Sequence, residues 1–195
     1  MKAINFLTLL FFFTSLNLFS QKQYKDNLEL LDDEKINPKF AQVLKIFIDS
    51  AKKAGFKPMV NEAYRSFDKA KKISEKNKPL GIAAAAVSVH SFGLAVDIWL
   101  VNDKNEAFSF DPKDYKKNKE NRFSYNKWME FIKIGESFGL INAYMHDDTD
   151  HWELHPNWNK KDWISAKKVI MPIYEKYPNL SELERLKIIW KEAGL

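Results

Sequence analysis

A chain of 195 residues without a single cysteine has room for one domain with a real core, and it must hold that core without disulfides. That excludes a small stapled scaffold and leaves too little length for two independent domains. The formal net charge of +5 falls to +4 once Lys2 leaves with the leader described next. An excess that small, with no basic stripe and no nucleic-acid-reading motif, argues for a lysine-rich solvated surface and against a nucleic-acid reader.

Residues 1–20, "MKAINFLTLLFFFTSLNLFS", carry one lysine and then an apolar run, and read as a secretory signal peptide cleaved near Ser20. A membrane anchor is the alternative, but the run is shorter than the roughly 20 apolar residues needed to cross a bilayer. Export and no stable membrane span after leader cleavage are the expectation. Residues 21–36 are polar and without period and read as a flexible lead-in, and 37–195 as a single domain with a helical extension from about 156.

Asn37 and Pro38 open an amphipathic helix with Phe40, Val43, Leu44, Phe47 and Ala51 on one face, closed by Gly55. "FKPMVNEAYRS" reads as extended, and Ser66 as the cap of a lysine-rich helix that ends before Pro79. "GIAAAA" fits helix or loop. Leu94–Val101 reads as a strand buried on both faces, apolar except for Asp97. Residues 102–125 read as a surface excursion. Trp128, Phe131, Ile132, Gly135 and Phe138 mark a helix stopped by Gly139. "LINAYM" and "DHWELH" both fit strands. Two helices finish the chain, one from about Lys161 to Lys176 bent or broken at Pro172, the other opened by the Ser181/Glu184 capping box and ended by Gly194. Helices segregated from a few short strands argue for α+β, a small antiparallel sheet flanked by helices.

Chemistry concentrates in two short segments. In "SVHSFGLAVD", His90 and Asp97 stand seven positions apart around Gly93, a spacing that no straight strand presents on one face. The chain therefore turns between them. Asp97 in an apolar strand needs a partner, and a bound cation is one of the few that suit it. The other three histidines, His146, His151 and His155, all fall in "HDDTDHWELH". With His90 and Asp97 they can furnish the two nitrogens and one oxygen of a catalytic zinc site. "HWELH" is not the helical zinc-protease signature, because Glu153 stands at i+2 and Pro156 follows. As a strand it puts His151, Glu153 and His155 on one face and Trp152 and Leu154 on the other.

"SVHSFGLAVD" and "DTDHWEL" together resemble the paired motifs of zinc D-alanyl-D-alanine carboxypeptidases, D-Ala-D-Ala dipeptidases and L-alanyl-D-glutamate endopeptidases, the VanY-like and phage-endolysin-like peptidases. The first motif has the form S-x-H-x-x-G-x-A-x-D, and Ser88, His90, Gly93, Ala95 and Asp97 match every fixed position. In the second, Asp148 stands three residues before His151, which is followed by the aromatic Trp152. "EAYRS" resembles the family's "GYRS" segment and brings in Arg65.

The resemblance spans roughly residues 40–155. It implies a Hedgehog/DD-peptidase-like zinc peptidase fold, one zinc per chain held by His90, Asp97 and His151, Asp148 as general base, and Arg65 and Ser88 as substrate contacts. His146 and His155 then stay outside the ligand set. Peptidoglycan stem peptides are the implied substrate. Aspartate at the base position resembles the L-alanyl-D-glutamate endopeptidase branch. D-alanyl-D-alanine carboxypeptidase activity and a non-catalytic wall-binding domain are the alternatives. Asp150 where a proline is usual, Trp152 in place of phenylalanine and the lack of a tryptophan-glycine-glycine segment after "GL" depart from the endopeptidase pattern. The residues fit the chemistry on their own terms. A carboxylate beside a zinc site can take the proton of the attacking water and pass it to the leaving amine, and Arg65 offers a fork of donors either for a substrate carboxylate or for an internal acid such as Glu62.

Overall fold

The computed structural model describes residues 24–80, 87–103, 106–107, 119–143, 148–155 and 166–195. The leader, "GIAAAA", His146 and the first part of the helix read from Lys161 lie outside them.

A four-stranded antiparallel sheet lies at the centre, in the order β1-β2-β4-β3, from β1 (Pro58–Glu62), β2 (Ala95–Leu100), β3 (Ile141–Asn142) and β4 (His151–Glu153). Helix α1 (Pro38–Lys53) begins where the sequence says it should, with Asn37 accepting from the Phe40 N–H at 3.0 Å and Pro38 in the first turn. It packs with α3 (Lys119–Ser137) against one face of the sheet. Phe40, Leu44, Phe47 and Ile48 meet Val60, Val96, Ile98, Leu100, Phe131 and Trp152 in a core from which water is excluded. β2 is less uniformly buried than its composition implies. Val96, Ile98 and Leu100 face this core, while Asp97 and Trp99 are only half-buried on the opposite face.

That opposite face is covered in part by the last two helices, α4 (Ala166–Tyr174) and α5 (Glu182–Glu192). Ile170, Leu186, Ile189 and Trp190 pack on Val89, Phe92, Leu94 and Ala95. The Ser181/Glu184 capping box is present, and α4 contains Pro172 without ending there. Helix α2 (Phe67–Asn77), capped by Ser66, stands beside them.

Two expectations are corrected. The described part of the lead-in, residues 24–36, is packed rather than loose. It makes a 3-10 turn over Leu28–Asp32, buries Leu31 and Ile36, and pairs Asp26 with Lys52 and Lys35 with Glu182. Single apolar anchors at uneven spacing leave no periodic signal. The excursion read over 102–125 is also shorter than its composition implies, since α3 begins at Lys119.

Candidate metal centre

Three segments converge on the site face of the sheet. His90 lies in a 3-10 turn, Val89–Phe92, which closes at Gly93 with φ 65°. Asp97 lies in β2 directly opposite His151 of β4, so the two side chains project side by side. The chain does turn between His90 and Asp97, as their spacing requires. One atom from each of His90, Asp97 and His151 falls within 4.8 Å of the other two. His90 Nε2 is 3.1 Å and His151 Nδ1 3.2 Å from Asp97 Oδ1, and the two ring nitrogens are 3.2 Å apart.

The outer atom of each of these groups is occupied elsewhere. A carbonyl only accepts, so the 2.7 Å contact of His90 Nδ1 with the Ala63 carbonyl puts the ring hydrogen on Nδ1 and leaves the Nε2 lone pair facing the cluster. Asp97 Oδ2 is 3.5 Å from Arg65 Nη2, leaving Oδ1 to the histidines. His151 Nε2 donates to Glu153 Oε1 at 2.8 Å, leaving Nδ1 inward. Two nitrogens and one carboxylate oxygen, each steadied by an outer partner, form the donor set that suits zinc with a coordination position left open.

The electrostatics agree. Burial alone would raise the Asp97 carboxyl, but the hydrogen bond from His151 and the contact with His90 outweigh it and hold the group far below the usual carboxylate range. Burial lowers His151, yet its bonds to Asp97 and Glu153 push it up to about 10. Glu153 is pulled down to about 2 by His151 and His155 against its own burial.

Asp148 is exposed, within electrostatic reach of His151 and Asp97, and its N–H donates to the Ala143 carbonyl at 3.3 Å, just past β3. Crowding by protein raises its carboxyl, the charge of His151 offsets part of that, and Asp150 and Asp97 add to the rise, to about 6. Asp150, which an extended segment would turn to the far face, does not turn away. It accepts from the Trp99 indole N–H at 2.8 Å, on the side that carries Asp97, and shares a hydrogen bond with Asp148. The bend at Thr149 and Asp150 breaks the strand alternation on which the simpler expectation rests. Arg65 pairs with Glu62, and its Nη1 is 3.5 Å from Ser88 Oγ. The internal acid considered for it is therefore present, and Lys69 holds the other oxygen of that acid at 2.7 Å.

His155 is buried, with Nε2 against Glu153. Sequence reasoning assigns Glu153 no role. The signal that could have found it is its place at i+2 from His151 in a strand.

A profile of the VanY D-alanyl-D-alanine carboxypeptidase family matches residues 33–158, well over half of the chain. The chain belongs to that family. This makes it a peptidase by descent. No curated protein sequence matches the chain significantly. Among solved structures it is similar to a zinc complex of the D,D-pentapeptidase VanY from a VanB-type vancomycin-resistance cassette, with 19% identity over 77% of this chain and 83% of that one, TM-score 0.44. It is also similar to the LD-carboxypeptidase LdcB, with 22% identity over 78% and 69% and TM-score 0.40. A third is VanYB in complex with D-alanine-D-alanine, with 18% identity over 78% and 82% and TM-score 0.39. Among the described residues no helix is long and apolar enough to cross a membrane.

Proposed function

We propose that this VanY-family chain is an exported zinc peptidase that hydrolyses peptidoglycan stem peptides, with His90, Asp97 and His151 holding one zinc, Asp148 as general base, and Arg65 and Ser88 as substrate contacts. The observation that carries the reading is the convergence of those three ligand atoms within 4.8 Å, on elements that face away from the main core. Zinc held there supplies Lewis acidity toward a carbonyl and lowers the pKa of a water to about 7. Asp148 takes the proton of the attacking water on its carboxylate and returns it to the leaving amine. Its side chain is one methylene shorter than glutamate, and its backbone N–H is bonded to the Ala143 carbonyl. Arg65, fixed by Glu62, presents Nη1 beside Ser88 to the developing oxyanion or to a substrate carboxylate. The leader, by its composition, supports export.

Removal of a terminal D-alanine is the bond choice that the family supports. Cleavage between L-alanine and a D-amino acid is a second reading, favoured by aspartate at position 148 and by the pairing of Arg65 with Glu62, which leaves less of the guanidinium for a free terminal carboxylate. Digestion of purified peptidoglycan, followed by mass spectrometry of the released fragments, decides between them. Release of D-alanine supports the first and new D-amino-acid amino termini the second. Neither product, from protein loaded with zinc, leaves only a wall-binding domain.

A further inference from the structure

We infer that Glu153 is a positioning residue for the metal centre, and that it and His155 form a buried brace that fixes His151 in the one tautomer whose Nδ1 faces the metal. The inference rests on the reading of His151 as a ligand. Glu153 is 2% exposed, and a carboxylate so placed is costly unless it is paired. Its two oxygens divide their work, Oε1 accepting from His151 Nε2 at 2.8 Å and Oε2 meeting His155 Nε2. The fold makes room for this. Glu153 pairs with the small Ala95 across the sheet, on the face that also carries the Asp97–His151 pair.

The physical consequence is specific. Imidazole has two nitrogens, and a hydrogen on Nδ1 would remove the lone pair that His151 offers inward. A carboxylate accepts but does not donate, so Glu153 keeps the hydrogen on Nε2. It also raises the basicity of Nδ1, as outer carboxylates do for metal-bound histidines, an effect worth roughly 10- to 100-fold in metal affinity. His155 acts one step further out, holding Oε2 so that Oε1 stays aligned. The brace also explains a buried acid that the sheet itself does not need.

The test is zinc affinity, measured by competition with a chromophoric chelator on metal-free wild type, Glu153→Gln and His155→Leu, with melting of each metal-free protein as the control for folding. Glu153→Gln should bind zinc about 10- to 100-fold more weakly with its fold intact, and His155→Leu should lose several-fold at most. An affinity for Glu153→Gln within about twofold of wild type overturns the inference. Should that variant not fold, long-range nitrogen NMR of zinc-loaded wild type decides. A metal-shifted Nδ1 and a protected Nε2–H on His151 support the brace, and the opposite tautomer refutes it. Failure of wild type to bind zinc at all would instead refute the ligand reading beneath it.

Discussion

Replacing Gly93 with alanine should damage this protein more than the same change at another left-handed glycine. Gly93 closes the turn that carries His90, at φ 65°. A Cβ there would fall 1.9 Å from the Lys35 carbonyl oxygen and 3.0 Å from the Trp190 ring. The backbone conformation alone costs a non-glycine residue about 1–2 kcal/mol. Forcing the added carbon against a carbonyl, which cannot swing aside as a side chain can, costs about 1–3 kcal/mol more. At roughly 2–4 °C per kcal/mol for a chain of this size, the melting temperature should drop by on the order of 10 °C. Gly55 is the control. It has φ 88°, and a Cβ added there would meet nothing within 4 Å, so Gly55→Ala should show the conformational part alone, a few degrees. Calorimetric melting of both variants, metal-free and with zinc, reads the difference. Zinc affinity should fall with Gly93→Ala only, because that turn carries His90, one of the proposed ligands. Equal losses in the two variants would refute the steric argument.

Asp148→Asn should keep zinc and fold while hydrolysis falls by roughly 10²-fold or more, the usual cost of losing a general base, and Asp150→Asn should be milder; steady-state rates with metal analysis test both, and a dead, metal-loaded Asp150→Asn beside an active Asp148→Asn would reverse the assignment. A base works only when ionised. The acid limb of kcat/KM should therefore lie at or below about pH 6, where Asp148 titrates without metal, since zinc's charge can only draw that value down. Arg65→Lys should be severe in kcat/KM with zinc retained, because a point-like ammonium cannot reach Glu62, Asp97 and Ser88 together; near-wild-type kinetics would make Arg65 purely structural. Finally, His151 is raised to about 10 in the metal-free protein and must lose its inner proton to a metal. Zinc binding should then strengthen about tenfold per pH unit between pH 6 and 8, releasing about one proton per ion, as titration calorimetry in buffers of differing ionisation heat would show; pH-independent affinity would contradict it.

The sequence is most informative where local chemistry decides the outcome. Asn37-Pro38, Ser66 and the Ser181/Glu184 box mark helix starts because a cap is a contact between near neighbours. Asp97 is conspicuous because its strand is otherwise apolar, while the choice of His151 among the histidines of "HDDTDHWELH" comes from the family resemblance, and the structure brings His90, Asp97 and His151 together. What stays hidden depends on distant partners. Nothing in residues 24–36 tells that Lys35 will lie over Gly93 and pair with Glu182. Glu62 is visible as a neighbour of Arg65, but Lys69 locking its other oxygen is not. Glu153 is the local exception, two residues from each of His151 and His155 and open to being found by that spacing.

The distance along the chain between the proposed ligands bears on how this protein is held together. His90 and His151 are separated by 61 positions, and the chain has no cysteine. An ion gripped by both closes a loop of that length, and a covalent bridge across such a loop would be worth about 4 kcal/mol on chain-entropy grounds. The centre would thus serve as the molecule's clasp, one whose strength follows ambient zinc and which has no sulfur bond to be reduced. Scarcity of the ion would then silence the peptidase and expose it to proteolysis in the same step.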